Sequence, residues 1–162
     1  MYPLHTILQV AIASYLAIAA HAADDLLAQL NKAGIKSYGP GDQGYASASK
    51  VFNIRYAYQP AAIAFPTSAA AVSKTVTIGI SKNLNIVARS GGHSYIANGT
   101  GGKHGALVID LSKMKNIVFN NSTKIAMVET GNRLGDVALR LNRDGRGIPH
   151  GTCPLVGIGG HT

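Results

Sequence analysis

The sequence predicts an α+β fold: a small β-α-β unit with a parallel or mixed sheet, followed by the start of a second, largely antiparallel β subdomain. Three observations predict it. A short apolar run stopped by Pro66 leads into a helical pattern and then into a second apolar run, the order of a crossover unit. A third apolar run follows a Gly-rich stretch. Beyond it, two further apolar runs flank the turn Asn120 to Thr123, which reads as a hairpin.

The elements follow in order. Leu26, Leu27 and Leu30, behind an acidic first turn and ahead of Gly34, predict a short helix from Asp24 to Ala33, expected to be an N-terminal appendage. Residues 34–58 are rich in Gly, Ser, Tyr and Asn and read as irregular chain leading into the domain proper. Ala61 to Phe65 is the first strand. Thr67-Ser68 then offers an N-cap for a helix with Ala69, Val72, Val76 and Ile80 on its inner face. Asn85 to Ala88 forms the next strand, residues 91–105 a long loop, and Ala106 to Leu111 a third strand. The hairpin pairs Ile117-Val118-Phe119 with Ile125 to Val128. Asn132 is expected to cap a last helix that turns Leu134, Val137, Ala138 and Leu141 inward. The chain ends in a Gly-rich segment, and the hairpin and helix call for more strands to bury their apolar faces, so the second subdomain is expected to be incomplete.

At the start, the apolar stretch Ile7 to Ala20 ends at Ala20-His21-Ala22 ahead of Asp24-Asp25. This predicts a secretory signal peptide over residues 1–22, cut after Ala22, and too short to serve as a membrane span. Its n-region lacks Lys and Arg. The triplets Asn98-Gly99-Thr100, Asn120-Asn121-Ser122 and Asn121-Ser122-Thr123 are glycosylation acceptors that fit a secreted glycoprotein. Residues 23–57 then form the N-terminal helix and lead-in, and 58–162 the domain.

Lys and Arg number 15 against 7 Asp and Glu, giving a net charge of +8. These cations are scattered, with no dense basic run and no Trp to stack on bases, so no nucleic-acid partner is expected. His93, His104, His150 and His161 do not stand at the spacing of a metal-ligand set, and no metal is expected.

Two motifs carry chemistry. Arg89-Ser90-Gly91-Gly92-His93-Ser94-Tyr95 can bring consecutive backbone N–H groups close to a pyrophosphate, because its two glycines remove side chains that would block the approach. Gly151-Thr152-Cys153-Pro154 holds the chain's only cysteine, which cannot form an internal disulfide. Gly157, Gly159, Gly160 and His161 form a further Gly-rich segment able to approach a ligand closely.

From about Tyr58 onward the chain resembles the FAD-binding PCMH-type domain of the vanillyl-alcohol oxidase / p-cresol methylhydroxylase superfamily, and within it the berberine-bridge-enzyme-like secreted oxidases. The resemblance is carried by Arg89 to Tyr95, by Ala106 to Ser112, by Glu129-Thr130-Gly131-Asn132-Arg133-Leu134-Gly135, and by His150 to Pro154 with Val156 to His161. It implies FAD as cofactor, with Arg89, Ser90, Gly91, Gly92, His93, Ser94, Gly151, Cys153, Gly157, Gly159, Gly160 and His161 as cofactor-binding residues. It further implies a bicovalent flavin. His93 would attack the 8-methyl carbon of the ring and Cys153 would bond its 6-position, which gives the lone thiol a reason in an oxidising compartment. The implied reaction is oxidation of an alcohol or carbohydrate by hydride transfer to FAD, with O2 as acceptor. In the resemblance the catalytic Tyr and carboxylate belong to a C-terminal substrate domain, so no catalytic residue is expected before Thr162. The alternative expectation is a catalytically silent FAD-binding fragment or truncated gene model.

Overall fold

The computed structural model describes Gln9 and residues 25–162. The leader read over residues 1–22 lies, Gln9 apart, outside the described residues. Residues 25–32 are helical (α1). The elements that follow are β1 (Lys36–Tyr38), α2 (Tyr45–Ala48), β2 (Ala62–Phe65), α3 (Ala69–Ser81), β3 (Ile86–Arg89), β4 (Leu107–Asp110), β5 (Ile117–Asn120), β6 (Ile125–Val128), α4 (Leu134–Arg143) and the short α5 (Ile158–His161). Single 3-10 turns lie at Ile54–Tyr56 and Ala97–Thr100.

The sheet order is β1-β2-β4-β3, with β2 and β3 both parallel to β4 and β1 antiparallel to β2. The sheet is therefore mixed, as the sequence indicates, and β5 and β6 form a separate antiparallel pair. Central position explains composition: Ala62, Ile63, Ala64, Leu107, Val108 and Ile109 are all buried, because both faces of these strands are covered.

One face packs against helices. Leu26, Leu30 and Ile35 join Ala62, Ala64 and Leu107 in a single core cluster, and Lys82 at the end of α3 pairs with Asp25. The expectation of an N-terminal appendage is thus corrected: α1 stacks its leucines on the sheet, since a helix this short gains stability only by burying its apolar stripe. The lead-in also contains structure that its composition hides. Lys36, Ser37 and Tyr38 pair with Phe65, Ala64 and Ile63, making β1 an edge strand of the sheet.

Ser68 caps α3 as expected, its Oγ accepting from Ala71 N at 3.2 Å. The inner face of α3 differs from the expected Ala69, Val72, Val76 and Ile80. Thr75 and Gly79 are the buried positions, while Ile80 is 67% exposed. The reason is packing distance. A Cβ on Gly79 would lie 2.7 Å from Ile86 Cδ1, so glycine lets the helix sit closer to β3 than a side chain would. Thr75 tolerates burial because its hydroxyl donates to Ala71 O at 2.8 Å.

The N-cap of α4 is Arg133, one residue after the expected Asn132. Asn132 is buried and instead donates through Nδ2 to Glu129 O at 2.8 Å, fastening the neck of the hairpin. Asp136 closes the first turn by accepting from Arg133 N at 3.0 Å and pairs with Lys115 at 3.0 Å. The backbone donor first, and then Lys115, hold the Asp136 carboxyl below the usual carboxylate range. Leu134, Val137 and Leu141 are buried, as the helical pattern indicates.

Candidate functional site

The register of β3 on β4 builds the base of the site. Arg89 pairs with Asp110 at the ends of adjacent parallel strands, so the last residue of β3 meets the last residue of β4 on one face. Its Nε donates to Asp110 Oδ2 at 2.6 Å and its Nη2 donates to Ala48 O at 2.6 Å. Both side chains are about nine-tenths buried, while Nη1 is buried and has no partner among the described residues. A buried cation with an unused donor is costly unless something polar completes it.

From Arg89 the chain leaves the sheet as the predicted loop. Among the described residues the backbone N–H groups of Gly91, Gly92, His93 and Ser94 donate no hydrogen bond. Four consecutive amides without partners are available to an anion, as the motif leads one to expect. The loop is braced by the C-terminal segment. A Cβ on Gly91 would lie 2.4 Å from Gly157 N, and one on Gly157 would lie 2.2 Å from Gly91 N, so the two backbones cross in contact that only glycine permits. Ser90 completes the joint, its hydroxyl donating to Thr130 O and accepting from Gly159 N at 3.2 Å.

The same C-terminal segment docks on α4. Arg133 and Gly157 form a β-bridge, Leu134 N and Gly135 N donate to Val156 O and Pro154 O, and Ile158 N donates to Asn132 O at 3.0 Å. These bonds satisfy helix amides that would otherwise lack partners.

Two sizeable cavities open along the loop. The larger, about 760 Å³, is lined by residues 89–93 and by Lys50, Phe52, Asp110, Arg133, Pro154 and Leu155 among others. A second, about 420 Å³, is lined by residues 87–94 with Thr130, Val156, Gly157, Gly159 and Gly160. Both volumes fall in the range of ~300–1,000 Å³ common for ligand sites. The free amides, the orphaned Arg89 Nη1 and the glycine crossing fit a flavin dinucleotide, whose pyrophosphate needs donors and close backbone approach.

The structure thus brings Arg89, Ser90, Gly91, Gly92, His93, Ser94, Gly157, Gly159 and Gly160 together. It does not bring Gly151, Cys153 and His161 to the linings of these cavities. Cys153 is exposed in the loop next to Pro154, which lines the larger cavity with His93. Gly151 and His161 meet each other, Gly151 N donating to His161 Nε2 at 2.9 Å. Asp110, Thr130, Ala48 and Phe52 belong to the site although sequence reasoning did not select them. Asp110 had a signal, being an acidic residue that ends an otherwise apolar strand; Phe52 had none.

Residues 60–162 match the family described as FAD binding domain. The carbohydrate oxidase of Microdochium nivale is 44% identical over 134 residues, covering 82% of this chain and 27% of that protein. BBE-like 1 of Physcomitrella patens superposes with a TM-score of 0.81 at 40% identity, over 84% of this chain and 30% of that one. The glucooligosaccharide oxidase of Acremonium strictum, which carries a 6-S-cysteinyl, 8α-N1-histidyl FAD, superposes with a TM-score of 0.79 at 36% identity, over 84% of this chain and 29% of that one. This chain therefore spans about a quarter of the length of the curated relatives it matches. Together with free loop amides on a mixed sheet, these similarities place the chain in the FAD binding domain family, beside the oligosaccharide oxidases and berberine-bridge-enzyme-like proteins.

Proposed function

We propose that this chain is the flavin-holding part of a secreted oxidase acting on the CH–OH group of a carbohydrate, with FAD joined to His93 and Cys153 and dioxygen as the final acceptor. The observation that carries the reading is the run of free amides at residues 91–94, beside a cavity of about 760 Å³ onto which both His93 and the Cys153 loop neighbour Pro154 open. When bound, FAD supplies a two-electron acceptor for hydride from a substrate carbon. The chain's own part is to hold it. Amides 91–94 and Arg89 would hold the anionic pyrophosphate, and the Gly91–Gly157 crossing would admit it by keeping side chains away. His93 and Cys153 supply nucleophiles on two separate loops, so attachment at both would clamp the ring from two directions.

Sugar is favoured as the substrate class by the carbohydrate and glucooligosaccharide oxidases among the relatives; an alcohol of another kind is the competing class. Export is supported by the leader pattern at residues 1–22 and by the lone exposed thiol, which commitment to a flavin would protect from mispairing. Expression in a fungal host of the whole oxidase, of which this chain is the flavin-holding part, tests these points together. The product should appear in the medium beginning at Ala23, stay yellow after acid precipitation, and release hydrogen peroxide with oligosaccharides in preference to simple alcohols. His93→Ala and Cys153→Ala should each retain one link and the double variant should release free FAD. Flavin that leaves the wild-type protein on denaturation would overturn the bicovalent reading. FAD binding without peroxide from any sugar or alcohol would mark a cofactor-holding chain without turnover.

A further inference from the structure

We propose that Phe52 is the positioning residue for the covalent bond at His93, an inference that rests on the attachment reading above. The Phe52 and His93 rings are stacked, with centroids 3.9 Å apart and planes 25° from parallel. Tyr95 meets both edge-on, at 5.5 Å and 74° from His93 and at 5.2 Å and 78° from Phe52. Asn53 Nδ2 donates to Tyr95 O at 2.8 Å, fastening the segment that carries Phe52 to the segment that carries His93. The same lead-in is held from behind by the bond from Arg89 to Ala48 O.

No hydrogen bond among the described residues holds either nitrogen of the His93 ring. Histidine χ2 is broad and roughly two-fold when left alone, so the orientation of this imidazole is set by its ring neighbours. Stacking suits that task. The nucleophilic lone pair lies in the imidazole plane, at the ring edge, so a neighbour on the face restrains rotation without covering the attacking nitrogen. Phe52 is itself half exposed and lines the larger cavity, which places its ring at the seat of the flavin rather than in the core.

The step it would assist is balanced as follows. A C–N bond forms between a His93 ring nitrogen and the flavin 8-methyl carbon. One hydrogen leaves the methyl group and one leaves the imidazole N–H, and the two electrons released with them end on dioxygen, giving hydrogen peroxide. Bond formation of this kind is sensitive to placement, a misfit of about 1 Å costing on the order of a hundredfold in rate.

The test is the rate at which flavin-free protein, in a Cys153→Ala background where only His93 can attach, takes up acid-stable flavin from added FAD. The mass of the peptide carrying His93 reports the bond. Phe52→Ala and Phe52→Leu should slow uptake by about tenfold or more, the leucine showing that bulk without a flat face is insufficient. Phe52→Tyr should restore it. Uptake is read at FAD concentrations that saturate each variant, with non-covalent affinity measured on the same variants carrying His93→Ala, so that binding does not enter the rate. Attachment by Phe52→Ala at the wild-type rate overturns this inference alone. A deficit that vanishes at saturating FAD also overturns it, because Phe52 would then act on binding alone. A parent protein that binds FAD and never forms the His93 bond overturns the attachment reading, and this inference with it.

Discussion

The mixed sheet and the hairpin region differ in how completely they are covered. In the sheet, β2 is buried up to Phe65 and β4 is buried along its length, with α1 and α3 packed on one face. In the hairpin, one row of side chains is partly buried and the other is open, with Val118, Ile125 and Met127 at 46%, 65% and 64% exposure. The first region supplies a rigid base, and the second carries the arms that reach the site. Burial decides where a substitution is felt, and the site stands where the two regions join.

The sharpest way to break this contrast is at the base. Asp110→Ala leaves the Arg89 guanidinium buried without its partner and should cost about 3–5 kcal/mol in urea unfolding. Leu107→Ala, in the middle of the core cluster, should cost about 2–5 kcal/mol. At the joint, Gly157→Ala forces a methyl into the backbone of Gly91. It should cost about 1–3 kcal/mol and weaken FAD binding more than it weakens the sheet, which separates the arm from the base. Asp136→Asn tests the docking of α4 by pH. Because the folded-state pKa of Asp136 is lowered, its contribution is present above the ordinary carboxylate value near pH ~4 and is lost as pH falls through the lower folded value. The variant should therefore be less stable than wild type at neutral pH, with the gap closing in acid. Met127→Ser, on the open row of the hairpin, should change stability by less than about 0.5 kcal/mol. A large effect there would place Met127 in the core and erase the contrast.

Much of this arrangement is legible in the sequence because it rests on local pattern. The runs at residues 61–65, 85–88 and 106–111, the Ser68 cap and the hairpin about Asn120 to Thr123 all announce themselves within a few residues. What was not legible rests on distance. β1 has only three residues, and nothing in Lys36-Ser37-Tyr38 alone indicates an edge strand that pairs with Phe65. The inner face of α3 departs from its apolar pattern because a glycine allows closer packing there than a larger apolar side chain. In the site, the loop motif named its own residues, whereas Phe52 stands 41 positions before His93, and the bond from Asn53 to Tyr95 that fastens the two segments is a contact 42 residues long.

The bond from Gly159 to Ser90 spans 69 residues, and the glycine crossing beside it is of similar reach. At roughly 5–20 residues per second, a ribosome takes on the order of 3–14 s to deliver the second half of that joint after the first. The strand and helix framework of the first sheet has that interval in which to condense. The seat for the dinucleotide is consequently one of the last parts of this stretch to be finished, and a nascent chain stalled before Gly157 would display the His93 loop with its brace still missing.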